Sequence, residues 1–129
     1  LSREQEARAR AAMRAIATQN NLPKTSAEIT FSDGYPAMAP TDGNQRLLAL
    51  LSQTSEDLGY GPVTAFDPGK RGAADISFVA DYVDALDGIG IEGRGAHALN
   101  EEIDLNTLPM LIERAAVLMY RISQQGPLN

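Results

Sequence analysis

The run Gly93-Arg94-Gly95-Ala96-His97 contains the only histidine of a 129-residue chain that has no cysteine, so any transition-metal site here begins with His97. Glycine at positions 93 and 95 lets the backbone take positive φ and approach a bound ion closely. That composition predicts a loop, not a helix face, for the imidazole. Three acids follow, Glu101, Glu102 and Asp104, spaced to orient the imidazole or to fix the loop beside a cation. The same residues also read as a half-exposed polar side chain in a glycine-rich loop. A catalytic zinc uses about three protein ligands and keeps one position for water, so His97 alone does not make such a site.

A second segment with chemical potential is Arg71-Gly72-Ala73-Ala74-Asp75-Ile76-Ser77-Phe78. A glycine-rich turn ending in an acid predicts a short helix from Ile76 capped by Asp75, with the loop N–H groups turned outward as an anion site. Gly-Ala-Ala-Asp is equally a plain helix start. Because positions 73 and 74 are alanines, any ligand contact from them is made by backbone N–H groups.

The elements that must position these segments follow from periodicity and punctuation. Ser2 and Gln5 have capping-box spacing, and Ala9, Ala12, Met13 and Ile16 recur at helical intervals, while Arg3, Arg8, Arg10 and Arg14 ride mainly on other faces. The alanine-rich stripe predicts shallow packing on a sheet. The residues from Asn20 to Pro23 end this helix, and residues 27–31 have the β-branched content of a strand. Gly34, Pro36 and Pro40 then make a stiff crossing, at which a domain boundary is expected. From Asn44 a second helix places Leu47, Leu51, Thr54 and Leu58 on one side, and Gly59 supplies a left-handed cap. Residues 63–66 and 86–90 read as short strands, the second buried and leading to the His97 loop at its carboxyl end, the edge where ligands gather in open α/β sheets. The last helix starts at Asn106 or Thr107, carries Pro109 in its first turn and Leu111, Ala115, Leu118 and Ile122 on one face, and stops at Gly126-Pro127. Met110, Met119 and Tyr120 read as packing residues.

Composition narrows the function. A chain of this length with 43% hydrophobic residues suffices for one ordinary domain. Seventeen acids against eleven basic residues give a net charge of -6, the wrong sign for a phosphate-backbone binder, so nucleic acid is not an expected partner. The longest apolar run, residues 115–120, is too short to span a bilayer, and no membrane partner is expected. Absence of cysteine excludes disulfides and thiolate metal sites and suits a cytoplasmic protein as well as a trimmed secreted one.

Three segments, in order, carry a family resemblance: Gly34-Tyr35-Pro36-Ala37-Met38, the stretch from Arg71 to Phe78, and Leu86-Asp87-Gly88-Ile89-Gly90 running to Gly95-Ala96-His97 with Asn100-Glu101 behind it. Together they resemble the carboxy-terminal part of the zinc exopeptidases and deacylases that include glutamate carboxypeptidase, aminoacylase, acetylornithine deacetylase and succinyl-diaminopimelate desuccinylase. The resemblance implies an α/β fold, with a partial catalytic sheet and its covering helices in residues 36–129 and half of a small α+β lid, or dimerisation, domain in residues 1–35. It implies His97 as the last zinc ligand, and Gly72, Ala73, Ala74 and Tyr35 as substrate-binding residues. No catalytic residue falls in this stretch. The remaining ligands and the general-base glutamate belong to an amino-terminal half, and the chain, which starts without Met, is expected to be a fragment inactive alone. In the complete enzyme two zinc ions bridged by a carboxylate and a water or hydroxide are implied, the glutamate taking the water's proton during attack on the amide carbonyl of a peptide or N-acyl amino acid. Relatives carry hydroxyl residues where this chain has Ala73 and Ala74. Glutamate-specific relatives carry Arg where this chain has Tyr35, so no charged contact with substrate is expected from this position, nor a preference for a carboxy-terminal glutamate. Many relatives pair the lid edge with a second copy, so a homodimer is expected. The other function class left open is a metal-free binding or assembly module of the same fold, using the Gly72 loop for an anion and the first helix for self-association.

Overall fold

Local signals account for where the helices begin and end. In the computed structural model, which describes residues 2–19, 22–67, 69–70, 72 and 74–126, helix α1 spans Arg3–Ala17. The Gln5 backbone N–H donates to Ser2 Oγ at 3.2 Å and the Ser2 N–H donates to Gln5 Oε1 at 2.9 Å, a complete capping box. Helix α2 spans Asp42–Asp57; Thr41 Oγ1 accepts from the Asn44 N–H at 3.1 Å, and Asp42 in the first turn complements the helix dipole. Its end is a Schellman motif: Gly59 lies at φ +82°, its N–H donates to the Glu56 carbonyl at 2.9 Å, and the Tyr60 N–H donates to the Ser55 carbonyl at 2.9 Å. Helix α3 spans Leu108–Gln124 with Pro109 in the first turn, and Gly126 beyond its end lies at φ +66°.

The chain divides into two units. One comprises Leu1–Pro40 with Asp67–Val83, the other Thr41–Phe66 with Asp84–Asn129. In the second, α2 packs against α3. Leu47, Leu51, Leu111 and Leu118 are buried with Ala85, and Thr54 on the same side of α2 is fully buried. This is the face that the helical spacing predicts. Arg121 joins the helices by donating to Thr54 Oγ1 at 3.2 Å and pairing with Asp57 Oδ2 at 2.7 Å. The Tyr60 hydroxyl donates to the Glu113 carboxylate. At the other end of α2, the Ala85 N–H donates to Asn44 Oδ1 at 3.0 Å and Arg46 lies 3.5 Å from Asp84.

In the first unit, α1 is held by its arginines and not by its apolar stripe. Arg10 pairs with Asp33 at 2.6 Å, the guanidinium carbons of Arg10 and Arg14 stand 5.3 and 4.9 Å from the centre of the Phe31 ring, and Arg3 pairs with Asp81 at 2.7 Å. Ala9, Ala12, Met13 and Ile16 are all exposed. The packing expected for that stripe is corrected here: the sheet it would rest on does not form in the described residues.

The strand expectations need the same correction. Residues 27–31, 63–66 and 86–90 are irregular, and the described β structure is one antiparallel pair, β1 (Gly93–Arg94) with β2 (Glu102–Ile103). A strand is defined by hydrogen bonds to a neighbour, and these segments have no adjacent strand to pair with among the described residues. Among the described residues the structure shows a small mixed α/β arrangement of three α-helices, one 3₁₀ turn and one two-stranded sheet. Met119 and Tyr120 are also exposed, leaving Met110 as the one of those three that is partly covered. No described helix is long and apolar enough to cross a membrane.

Candidate functional site

His97 sits at the tip of the β1–β2 hairpin. The register pairs Gly93 with Ile103 and Arg94 with Glu102, and the Asp104 N–H donates to the Glu92 carbonyl at 2.8 Å to extend the ladder. Both glycines of the motif are required by geometry. A Cβ on Gly93 would lie 2.2 Å from the Glu102 carbonyl oxygen, and Gly95 turns the chain at φ +69°. Two further turn bonds follow: the Ala98 N–H donates to the Gly95 carbonyl at 2.9 Å and the Glu101 N–H donates to the Ala98 carbonyl at 3.1 Å.

His97 itself lies at φ +67°, a left-handed conformation that histidine enters more readily than most side chains but glycine far more readily still. Its side chain is exposed, as is every residue from 91 to 106. The loop reading is therefore correct, and its placement is refined: the histidine lies between the two arms of a hairpin instead of at the carboxyl end of a strand over residues 86–90.

The three acids play other parts than orienting the imidazole. Glu101 accepts from the His97 backbone N–H at 3.4 Å, Glu102 pairs with Arg94 Nε at 2.7 Å across the hairpin, and Asp104 Oδ1 accepts from the Asn106 N–H and side-chain amide, both at 2.9 Å. Opposite charges at 94 and 102 flanking a glycine-rich loop were the sequence signal for this cross-strand pair. Among the described residues no group of three His, Cys, Asp or Glu side chains is gathered to hold a metal ion. His97 offers one nitrogen ligand, so the described residues do not amount to a zinc site.

In the other unit, Tyr35 meets the segment after Gly72. The Tyr35 hydroxyl donates to Asp75 Oδ1 at 2.9 Å, and its ring stands 5.2 Å from that of Phe78, tilted by 54°. That hydrogen bond to a carboxylate raises the phenol above its usual range, because ionising it would place two negative charges together. Residues Asp75–Phe78 form a single 3₁₀ turn whose N-cap is Ala74, without a side-chain cap bond. The expected capping by Asp75 is thus corrected: its carboxylate goes to Tyr35. Gly72 is exposed and Ala74 half-buried, its carbonyl accepting from the Ser77 N–H at 3.0 Å, while Ala73 lies outside the described residues. The structure brings Tyr35, Asp75 and Phe78 together. Asp75 and Phe78 carried no sequence signal as Tyr35's neighbours, since the contact spans forty residues.

The sequence profile of Peptidase family M20/M25/M40 matches residues 4–121 of the chain. No curated protein and no solved structure gave a match.

Proposed function

The chain belongs to peptidase family M20/M25/M40, a family of generally metal-dependent hydrolases, and on that premise we propose that it supplies the carboxy-terminal part of a zinc-dependent exopeptidase or N-acyl amino-acid amide hydrolase. His97 is the zinc ligand it contributes, and Tyr35 with the backbone of Gly72, Ala73 and Ala74 forms part of the substrate pocket. Residues 1–35 belong to a lid and residues 36–129 to the catalytic domain. The observation that carries this reading is the hairpin tip. Gly93 and Gly95 admit a backbone path that presents an exposed imidazole, while Glu101 and the Arg94–Glu102 pair hold the tip from behind.

With the other ligands and the general base contributed from outside these residues, zinc would supply an activated water and polarise the scissile carbonyl. The part of this chain is to present His97 and to bind substrate. Tyr35 places a neutral phenol where an Arg would recognise a substrate carboxylate, so a carboxy-terminal glutamate is not the preferred group. The exposed apolar face of α1, Met13 and Ile16 among its residues, makes a homodimer the expected assembly, which light scattering at micromolar concentration checks.

The test is hydrolysis of N-acyl amino acids and dipeptides by the product of the complete reading frame, with zinc content measured in parallel. His97→Ala is expected to lower kcat/KM by at least about 100-fold and to reduce bound zinc, because a lost ligand costs no less than a lost supporting contact. Unchanged zinc content and rate in that variant would exclude His97 as a ligand and favour a binding module without metal chemistry.

A further inference from the structure

We infer that Tyr35, Phe78 and Asp75 form a subsite for an organic cation, an ammonium or guanidinium group of the substrate, an inference that rests on the reading of Tyr35 as a pocket residue. Three observations within one unit converge on it. The Tyr35 and Phe78 rings are 5.2 Å apart and tilted by 54°, so together they offer an angled pair of aromatic surfaces. Tyr35 and Phe78 are more than half exposed as residues, at 53% and 56%, and open to a ligand. Asp75 at their side gives one carboxylate oxygen to the Tyr35 hydroxyl at 2.9 Å, and no Lys or Arg among the described residues pairs with it.

Aromatic faces attract cations through the ring quadrupole, and an adjacent carboxylate adds a charged acceptor. An anionic group meets the reverse: the negative faces of two rings and a full negative charge, with no side-chain donor at Ala74. The single Tyr35 hydroxyl proton is donated to Asp75, so Tyr35 meets the ligand with its ring. The hydrogen bond also fixes the direction of the carboxylate, leaving Oδ2 for the ligand. Selectivity therefore runs from cationic to neutral to acidic substrate groups.

The experiment is an NMR titration of the 129-residue chain with three small amides. N-acetyl-lysinamide carries the charge on the side chain, norleucinamide carries it on the α-amino group, and N-acetyl-norleucinamide carries none. Saturable shifts at Tyr35, Asp75 and Phe78 are expected with a cationic probe, at an affinity at least about 10-fold above the neutral amide. Whichever cation binds more tightly identifies the source of the charge as side chain or amino terminus. Asp75→Asn should remove most of that difference and Phe78→Leu part of it. Signals elsewhere in each variant's spectrum report that its fold is retained. Equal binding of the neutral amide, no saturable shift with either cation, or an unaltered charge preference in Asp75→Asn would each overturn the inference. No step of this titration needs zinc or hydrolysis, so it can fail while the hydrolase reading stands, and the reverse.

Discussion

The carboxylate of Asp84 occupies the space into which a side chain at Gly43 would project. A Cβ on Gly43 would lie 1.8, 1.9 and 2.0 Å from Asp84 Oδ1, Cγ and Oδ2. Gly43 is buried in the first turn of α2, so an acid there also meets the positive end of the helix. Alanine is ordinarily favoured over glycine inside a helix by about 1 kcal/mol. Here Gly43→Ala is expected to destabilise the chain by about 1–3 kcal/mol, because the short Asp84 side chain must leave its position. In an Asp84→Ala background the same change should be neutral or stabilising. Urea denaturation of the four proteins of this cycle decides the matter, and an equal cost in both backgrounds would mean that the two residues are not coupled.

Ser55 is fully buried on α2 and its hydroxyl finds no hydrogen-bond partner among the described residues. Removing a polar atom that is desolvated and unpaired should help the folded state, and alanine is also the better helix former. Ser55→Ala is therefore expected to raise stability by about 0.5–1.5 kcal/mol in chemical denaturation. A loss of similar size would show that the hydroxyl has a partner in solution.

Two tyrosines should titrate late. The hydrogen bond to Glu113 raises the Tyr60 phenol above 10.0, with burial adding to it, and the bond to Asp75 does the same for Tyr35. The folded state thus favours the neutral phenol. Its contribution to stability is fully present below the ordinary value of 10.0 and is lost as pH rises through the raised folded value. In absorbance at the phenolate band, Glu113→Gln should bring the ionisation of Tyr60 to lower pH, and Asp75→Asn that of Tyr35. The thermal midpoint of Tyr60→Phe should fall less steeply than that of the parent above pH about 10. Phenolate curves unchanged in both carboxylate variants would contradict both hydrogen bonds.

The backbone at His97 and its ligand role can be separated. Because residue 97 is at φ +67°, His97→Gly should match or exceed the parent in stability by up to about 1 kcal/mol, and His97→Val should be less stable than either. Zinc titrated calorimetrically into the parent chain should bind weakly, as one imidazole with no gathered set of carboxylates lacks preorganisation. Tight stoichiometric binding that His97→Gly abolishes would show a self-sufficient metal site, contrary to the proposed division of ligands.

Helix ends were legible because their signals are local. The Ser2–Gln5 box, Gly59 past the end of α2 and Pro109 in the first turn of α3 each act within about one turn of the residue that carries them. The buried face of α2 followed from spacing for the same reason. Strands over residues 27–31, 63–66 and 86–90 were not decided by their β-branched content, since a ladder needs a second strand that no local pattern supplies. Nor could spacing show that Gly93 must be bare to pass the Glu102 carbonyl, or that Asp75 answers to Tyr35 and not to its own helix. By itself the sequence determined which residues could carry chemistry, His97 foremost, and the local signals that start α1 and end α2, though not the Thr41 cap that starts α2 or the Ala74 start of the short turn. Only the tertiary structure decided which side of α1 is held and what Asp75 touches, because the Arg10–Asp33 and Tyr35–Asp75 contacts join residues distant in the chain and depend on which partners the fold brings within reach.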